Sequence, residues 1–145
     1  MSAFVVECRT ELPPGEVWRR LTAWERHSGS VPLTRVTVRT SLPTCVGTVV
    51  VARTGVGPAG FTDPMRVTVW EPPDEGGEGR CRLEKTGRVV LGWAEIEVRP
   101  DGAGTYVRWH EDLRVRGLPR AFDGLTRAAS RTLFRRALTT LLAED

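Results

Sequence analysis

The chain has 145 residues, 40% apolar and 27% charged, with a formal net charge of +3 and a pI near 9.1. That length suits one domain, residues 1–145, able to bury roughly 70% of its unfolded surface. No apolar run approaches the ~20 residues that a membrane span needs. Met1 to Thr10 also lacks the basic, apolar and cleavage-site order of a signal peptide, so the sequence reads as a cytoplasmic globular protein.

Lys85 is the only lysine, Asn and Gln are absent, and Ile96 is the only isoleucine, whereas Arg, Ala, Gly, Pro and Val abound. This bias fits a GC-rich genome, so much of the arginine reflects codon supply. Acidic residues mixed among them argue against a nucleic-acid surface. Cys8, Cys45 and Cys81 are far apart and lie near neither His27 nor His110. Zinc needs clustered ligands, so these thiols read as small buried hydrophobes and no metal is expected.

Phe4, Val6 and Cys8 alternate with Val5, Glu7 and Arg9, the two-residue period of a strand. Leu12-Pro13-Pro14-Gly15 ends it. Pro14 suits a first helical turn, and Val17, Trp18 and Leu21 follow at helical spacing with Arg19 and Arg20 outside. Trp24 to Pro32 reads as a short helical turn or loop, with His27 at the surface.

Strands are predicted over Arg35 to Arg39, Gly47 to Arg53, Met65 to Trp70, Arg80 to Thr86, Val89 to Arg99 and Thr105 to Val115. Pro72-Pro73-Asp74 stops the third, and Pro100 to Gly104 reads as a slightly long hairpin loop. Such short connections imply antiparallel pairing. From Leu118 to the C-terminus the apolar residues Leu118, Phe122, Leu125, Ala129, Leu133, Ala137 and Leu141 recur in steps of three and four. Phe134 and Leu138 widen the stripe. About 24 residues at 1.5 Å give roughly 36 Å of helix, long enough to cover the concave face of a six- or seven-stranded sheet. Arg127, Arg131 and Arg135 form a solvated face without aromatic stacking partners.

Gly55-Val56-Gly57-Pro58-Ala59-Gly60 spells a dinucleotide-type glycine pattern, but Phe61-Thr62-Asp63-Pro64 and a strand follow it instead of a helix. A flexible loop at the edge of a cavity fits better, with Phe61 as a cover, and no cofactor is expected. Ser28, Ser30, Ser41 and Ser130 lack a nucleophile-elbow context.

On the last strand Val107, Trp109, Glu111 and Leu113 share one face, and Tyr106, Arg108, His110 and Asp112 the other. The first set is more apolar and should face the helix, which turns Glu111 inward and His110 outward. An inward carboxylate must be neutral, paired or hydrogen-bonded. Glu111 is therefore an ion-pair partner of an arginine, a ligand-orienting or proton-transferring group, or a residue at a wet end of the sheet. The five tryptophans are core by default; each could contribute about 4–6 kcal/mol from its buried area before entropy.

Three segments carry a family resemblance. Leu12-Pro13-Pro14-Gly15-Glu16-Val17-Trp18 resembles a proline-bearing entry to a helix with a Val-Trp pair. Val69-Trp70-Glu71-Pro72-Pro73 resembles a strand exit, and Gly104-Thr105-Tyr106-Val107-Arg108-Trp109 a Gly-Thr-x-Val-x-Trp strand. In that order they resemble the START/polyketide-cyclase-like (SRPBCC, helix-grip) superfamily over nearly the whole chain. The resemblance implies an α+β helix-grip fold, a curved antiparallel sheet of six or seven strands around a long C-terminal helix, with two short helices after the first strand. It also implies a cavity for a small hydrophobic or aromatic molecule, lipid or polyketide-like. Trp109, Glu111, Phe61, Met65, Val67, Phe122 and Leu125 would line that cavity.

Three functions fit. A binder needs one inward polar group or none. A cyclase- or dehydratase-type enzyme needs at least two, with Glu111 as acid or base. An interaction module needs a closed core, and the oligomeric state, a homodimer included, stays open.

Overall fold

Inward β-branched and aromatic residues at every second position set the sheet. In the computed structural model, which describes residues 3–29 and 31–143, seven strands form one antiparallel sheet. Expectations for Met1, Ser2, Ser30, Glu144 and Asp145, including the last residues of the terminal helix, lie outside the described residues. The strands are β1 (Ala3–Thr10), β2 (Thr34–Val38), β3 (Val49–Val56), β4 (Ala59–Glu71), β5 (Gly79–Lys85), β6 (Val90–Asp101) and β7 (Gly104–Val115). Their order is β1-β7-β6-β5-β4-β3-β2, so β2 to β7 form a meander and β1 closes on β7. The register aligns Phe4, Glu111, Ala94, Leu83 and Val67 as one inward row across five strands.

Helix α1 (Pro14–Thr22) begins with Pro14, where a missing N–H is harmless. Glu16 in its first turn pairs with Arg19 at 2.6 Å and Arg20 at 2.8 Å, and the hydrogen bonds from these arginines hold its carboxyl down at about 2. A 3₁₀ turn spans Trp24–Gly29, and a second, Arg120–Phe122, leads into α2 (Asp123–Ala143). This curled sheet gripping a long C-terminal helix, with short helices after β1, is the helix-grip fold.

Four local expectations need correction. Strand β4 starts at Ala59, six residues before the predicted start, and runs through Pro64. That proline is tolerated because its backbone faces the end of β5, where its carbonyl accepts the Thr86 N–H at 2.9 Å. The glycine-rich segment is therefore the tip of the β3–β4 hairpin, with Val56 opposite Ala59 and a positive φ at Gly57. The β6–β7 loop is tight: Asp101 pairs with Gly104, leaving only Gly102 and Ala103 in the turn, where Gly102 adopts φ 61°. Arg20 is buried, because its guanidinium bonds Glu16 and donates to the Leu142 carbonyl at 3.1 Å. It thereby satisfies one of the acceptors that every helix C-terminus leaves open.

The fourth concerns α2. Ala137, Leu138 and Leu141 are buried against β1, β7 and α1, with Phe4 stacked on Phe134 at 5.6 Å. The first half of the apolar stripe has no such support. Phe122, in the 3₁₀ turn, is 47% exposed and Leu125 is 68% exposed. The helix thus packs along the β1 side of the sheet and does not cover the whole concave face.

Candidate functional site

The inner face of the sheet, the first 3₁₀ turn and the middle of α2 enclose a cavity of about 350 Å³. Aromatic walls come from Trp24, Phe61, Trp109 and Phe134, with aliphatic surface from Val36, Val50, Ile96 and Leu133. Met65 also lines it. Val67 lies one step deeper, fully buried in the core, and Phe122 and Leu125 do not reach the cavity because they precede the part of α2 that packs on the sheet.

Glu111 faces inward and is 2% exposed. Its Oε1 accepts the Trp109 indole N–H at 3.1 Å. Its charged partner is a lysine, not an arginine: Lys85 Nζ lies 3.8 Å from Glu111 Oε2 and 2.7 Å from Asp63 Oδ2, with Met65 Sδ at 3.7 Å. Lys85 follows Cys81 and Leu83 on the inward phase of β5, and Asp63 precedes Met65 on that of β4. Lys85 can reach across β6 to Glu111 because β6 presents only small residues there, Ala94 opposite Glu111 and Gly92 opposite Leu113. Gly92 adopts φ 127°, and a Cβ at this position would collide with the Asp112 carbonyl, so the position requires glycine.

Burial pushes the Glu111 carboxyl up, against the pull of Lys85 and the Trp109 hydrogen bond, and nearby Asp63 and Asp112 push it further. Burial likewise raises Asp63, partly offset by Lys85. Burial alone would lower Lys85, but Glu111 and Asp63 outweigh it and hold the ammonium above its ordinary value. The three groups are one coupled unit, two carboxylates sharing one ammonium.

His27 is a wall residue, not a surface one. Its Nε2–H donates to the Leu21 carbonyl at 2.8 Å, its ring lies 5.9 Å from that of Trp109, and burial holds it below its ordinary value, hence neutral at pH 7. His110 is on the opposite side of the sheet, edge-on to Trp93 at 4.7 Å, with Arg82 over the same indole at 4.4 Å. The sequence reading missed Asp63, Lys85 and His27. The available signals were the in-phase spacing of Lys85 with Cys81 and Leu83, and its status as the lone lysine.

Among the described residues no group of three or more His, Cys, Asp or Glu is placed to hold a metal ion, and no helix is long and apolar enough to cross a membrane. Cys81 is a buried core thiol pushed up to about 12 by burial, whereas Cys45 is exposed.

The family model described as polyketide cyclase/dehydrase and lipid transport matches residues 1–144. The chain belongs to this family. Solved structures similar to this polyketide cyclase/dehydrase and lipid transport family member agree in fold. A STAR-related lipid transfer protein fragment from Xanthomonas axonopodis superposes with a TM-score of 0.73 at 16% identity, covering 98% of this chain and 86% of that one. A protein from Thermus thermophilus gives 0.69 at 17%, with 97% and 93% covered. The ZhuI aromatase/cyclase from Streptomyces sp. R1128 gives 0.61 at 17%, with 97% and 90% covered. Among curated proteins none matches this family member.

Proposed function

We propose that this chain binds a small, largely apolar or aromatic molecule in the cavity between sheet and α2, with one polar group of that molecule seated at Asp63, Lys85 and Glu111. The observation that carries it is the pairing of an apolar cavity of about 350 Å³ with a single buried charged cluster in its wall. Pockets of this build orient a ligand through a few polar groups and hold it by apolar contact. The lipid-transfer and aromatase/cyclase neighbours support a binding cavity of this type. The chain would act as a single domain in the cytoplasm, without nucleic acid. A neutral fluorescent probe, N-phenyl-1-naphthylamine, tests it. Saturable binding at one site, weakened at least about tenfold by Trp109→Ala, is the expected result. Binding unaffected by that substitution would reject the cavity as the site.

A second function, acid–base catalysis on such a molecule, is favoured by one observation: three titratable groups, Asp63, Lys85 and Glu111, converge on the cavity, more than the one inward polar group or none expected of a simple binder. A carboxyl raised by burial keeps its proton to higher pH than a free carboxyl and can deliver it, and an adjacent ammonium can stabilise a developing enolate. Glu111→Gln separates the two functions. An enzyme retains its ligand and loses turnover; a binder shows only changed affinity.

A further inference from the structure

The cavity wall carries two carboxylates and one ammonium, so with all three ionised it holds one negative charge in excess. Two of its oxygens, Glu111 Oε2 and Asp63 Oδ1, are buried and have no hydrogen-bond partner among the described residues. The remaining oxygens are engaged: Glu111 Oε1 by the Trp109 indole, Asp63 Oδ2 by Lys85. Lys85 gives its short contact to Asp63 Oδ2 and stands 3.8 Å from Glu111 Oε2, so acceptors and negative charge are in excess at this wall. A ligand carbonyl would supply neither a donor nor positive charge. A ligand carboxylate would add a second uncompensated charge to a wall where burying even one is costly. An ammonium brings both a positive charge and N–H donors, and Trp24, Trp109, Phe61 and Phe134 supply the aromatic surface that cations favour.

Building on the binding function proposed above, we propose that the cavity selects a hydrophobic monocation, a primary or secondary ammonium on an apolar body, its N–H groups directed to Glu111 Oε2 and Asp63 Oδ1. The charge sum at the wall then closes to zero. A proton is the competing cation, since protonated Glu111 neutralises the same excess. The charged groups acting on Glu111 are Lys85 from β5, Asp63 from β4 and adjoining Asp112 on β7; His27 from the first 3₁₀ turn lines the same cavity, and α2 presents uncharged Ser130 and Phe134 to it. Burial raises the Glu111 and Asp63 carboxyls above the ordinary carboxylate range, so on acidification they take up protons before a free carboxyl would, and ammonium affinity must fall as they do.

The test is calorimetric titration of the intact protein at pH 7.5 with octylammonium, 1-octanol and octanoate, which share one apolar body. Octylammonium should bind at least about tenfold tighter than 1-octanol, and octanoate weakest. Glu111→Gln should reduce the ammonium-to-alcohol ratio to near one, and lowering the pH to 5 should reduce it in the parent protein. If N-phenyl-1-naphthylamine enters and 1-octanol or octanoate displaces it as well as octylammonium does, the charge selectivity is wrong while the binding function stands. If neither probe nor any of the three binds, both are wrong.

Discussion

The indole N–H of Trp109 donates to Glu111 Oε1 at 3.1 Å, linking two inward residues of one strand. Successive inward positions on a strand stand side by side, so the same alternation that buries the indole delivers its single donor to the carboxylate beside it. Trp109→Phe keeps the ring contacts with Phe134 and removes only the donor. It should cost about 1–3 kcal/mol, the penalty for a buried acceptor left without its partner. The cost should shrink when Glu111→Gln is already present, and a double-mutant cycle by urea unfolding reads that coupling. Strict additivity would mean the hydrogen bond carries no energy.

Glu111→Gln alone should stabilise the protein at neutral pH. The folded carboxyl is raised above its ordinary 4.5, so between that value and its folded value the native state binds more protons than the unfolded chain. Stability contributed by Glu111 is then largest at low pH and falls as pH rises through this window. The glutamine lacks this dependence and should be more stable than the parent at pH 7, with the gap closing toward pH 4.5. Unfolding curves at a series of pH values decide it; a gap that widens on acidification contradicts the raised carboxyl.

Lys85→Met should act in the opposite direction. It removes the only ammonium near two buried carboxylates, with a loss of about 3–5 kcal/mol at pH 7. Lowering the pH should restore part of that loss as Asp63 and Glu111 take up protons. In the parent protein the ammonium, held above its ordinary 10.5, contributes stability below that pH and loses it as pH rises through the folded value. Thermal melts of the variant at pH 5 and pH 8 are the measurement, and equal deficits at both would argue against a charge origin.

Arg20→Met should loosen the contact between α1 and α2 without a cavity of comparable size. It leaves the Leu142 carbonyl without its guanidinium donor and Glu16 with Arg19 alone, for an expected loss of about 1–3 kcal/mol. Arg19→Met, on the exposed side of the same helix, should cost much less, because its ion pair with Glu16 is open to solvent. Comparable losses for the two would show that the Leu142 contact contributes little.

Gly92→Ala should be far more damaging than its one added methyl suggests, by at least about 2 kcal/mol, because the left-handed backbone and the Asp112 carbonyl both exclude a Cβ. An alanine variant that melts like the parent would mean that β6 shifts freely at this point.

Most of the fold can be read from two periods, two for the strands and 3.6 for the helix, because burial on one face leaves a strict pattern. The inward phase of Glu111 was legible for that reason: Val107, Trp109 and Leu113 fix it. Asp63 was hidden because the glycines before it and Pro64 after it look like loop, whereas β4 absorbs the proline at the end of β5. Lys85 was hidden because lysine ordinarily points to solvent, and only its phase with Leu83 says otherwise. The terminal helix shows the limit of periodicity. An apolar stripe from Leu118 to Leu141 tells which face seeks a partner, not how much of that face finds one.

Helix α2 is held at its C-terminal half by Ala137, Leu138, Leu141 and the Arg20 contact, while none of the described residues from Asp123 to Arg136 is fully buried. Its unfolding free energy must therefore be graded along its length, and amide hydrogens near Leu125 should exchange with solvent well before those near Leu141. Ser130, Leu133 and Phe134, where the helix meets the cavity, lie along that gradient. On the binding function proposed above, the cost of admitting a molecule beside α2 would be set by a few turns of weakly anchored helix and not by the stability of the sheet.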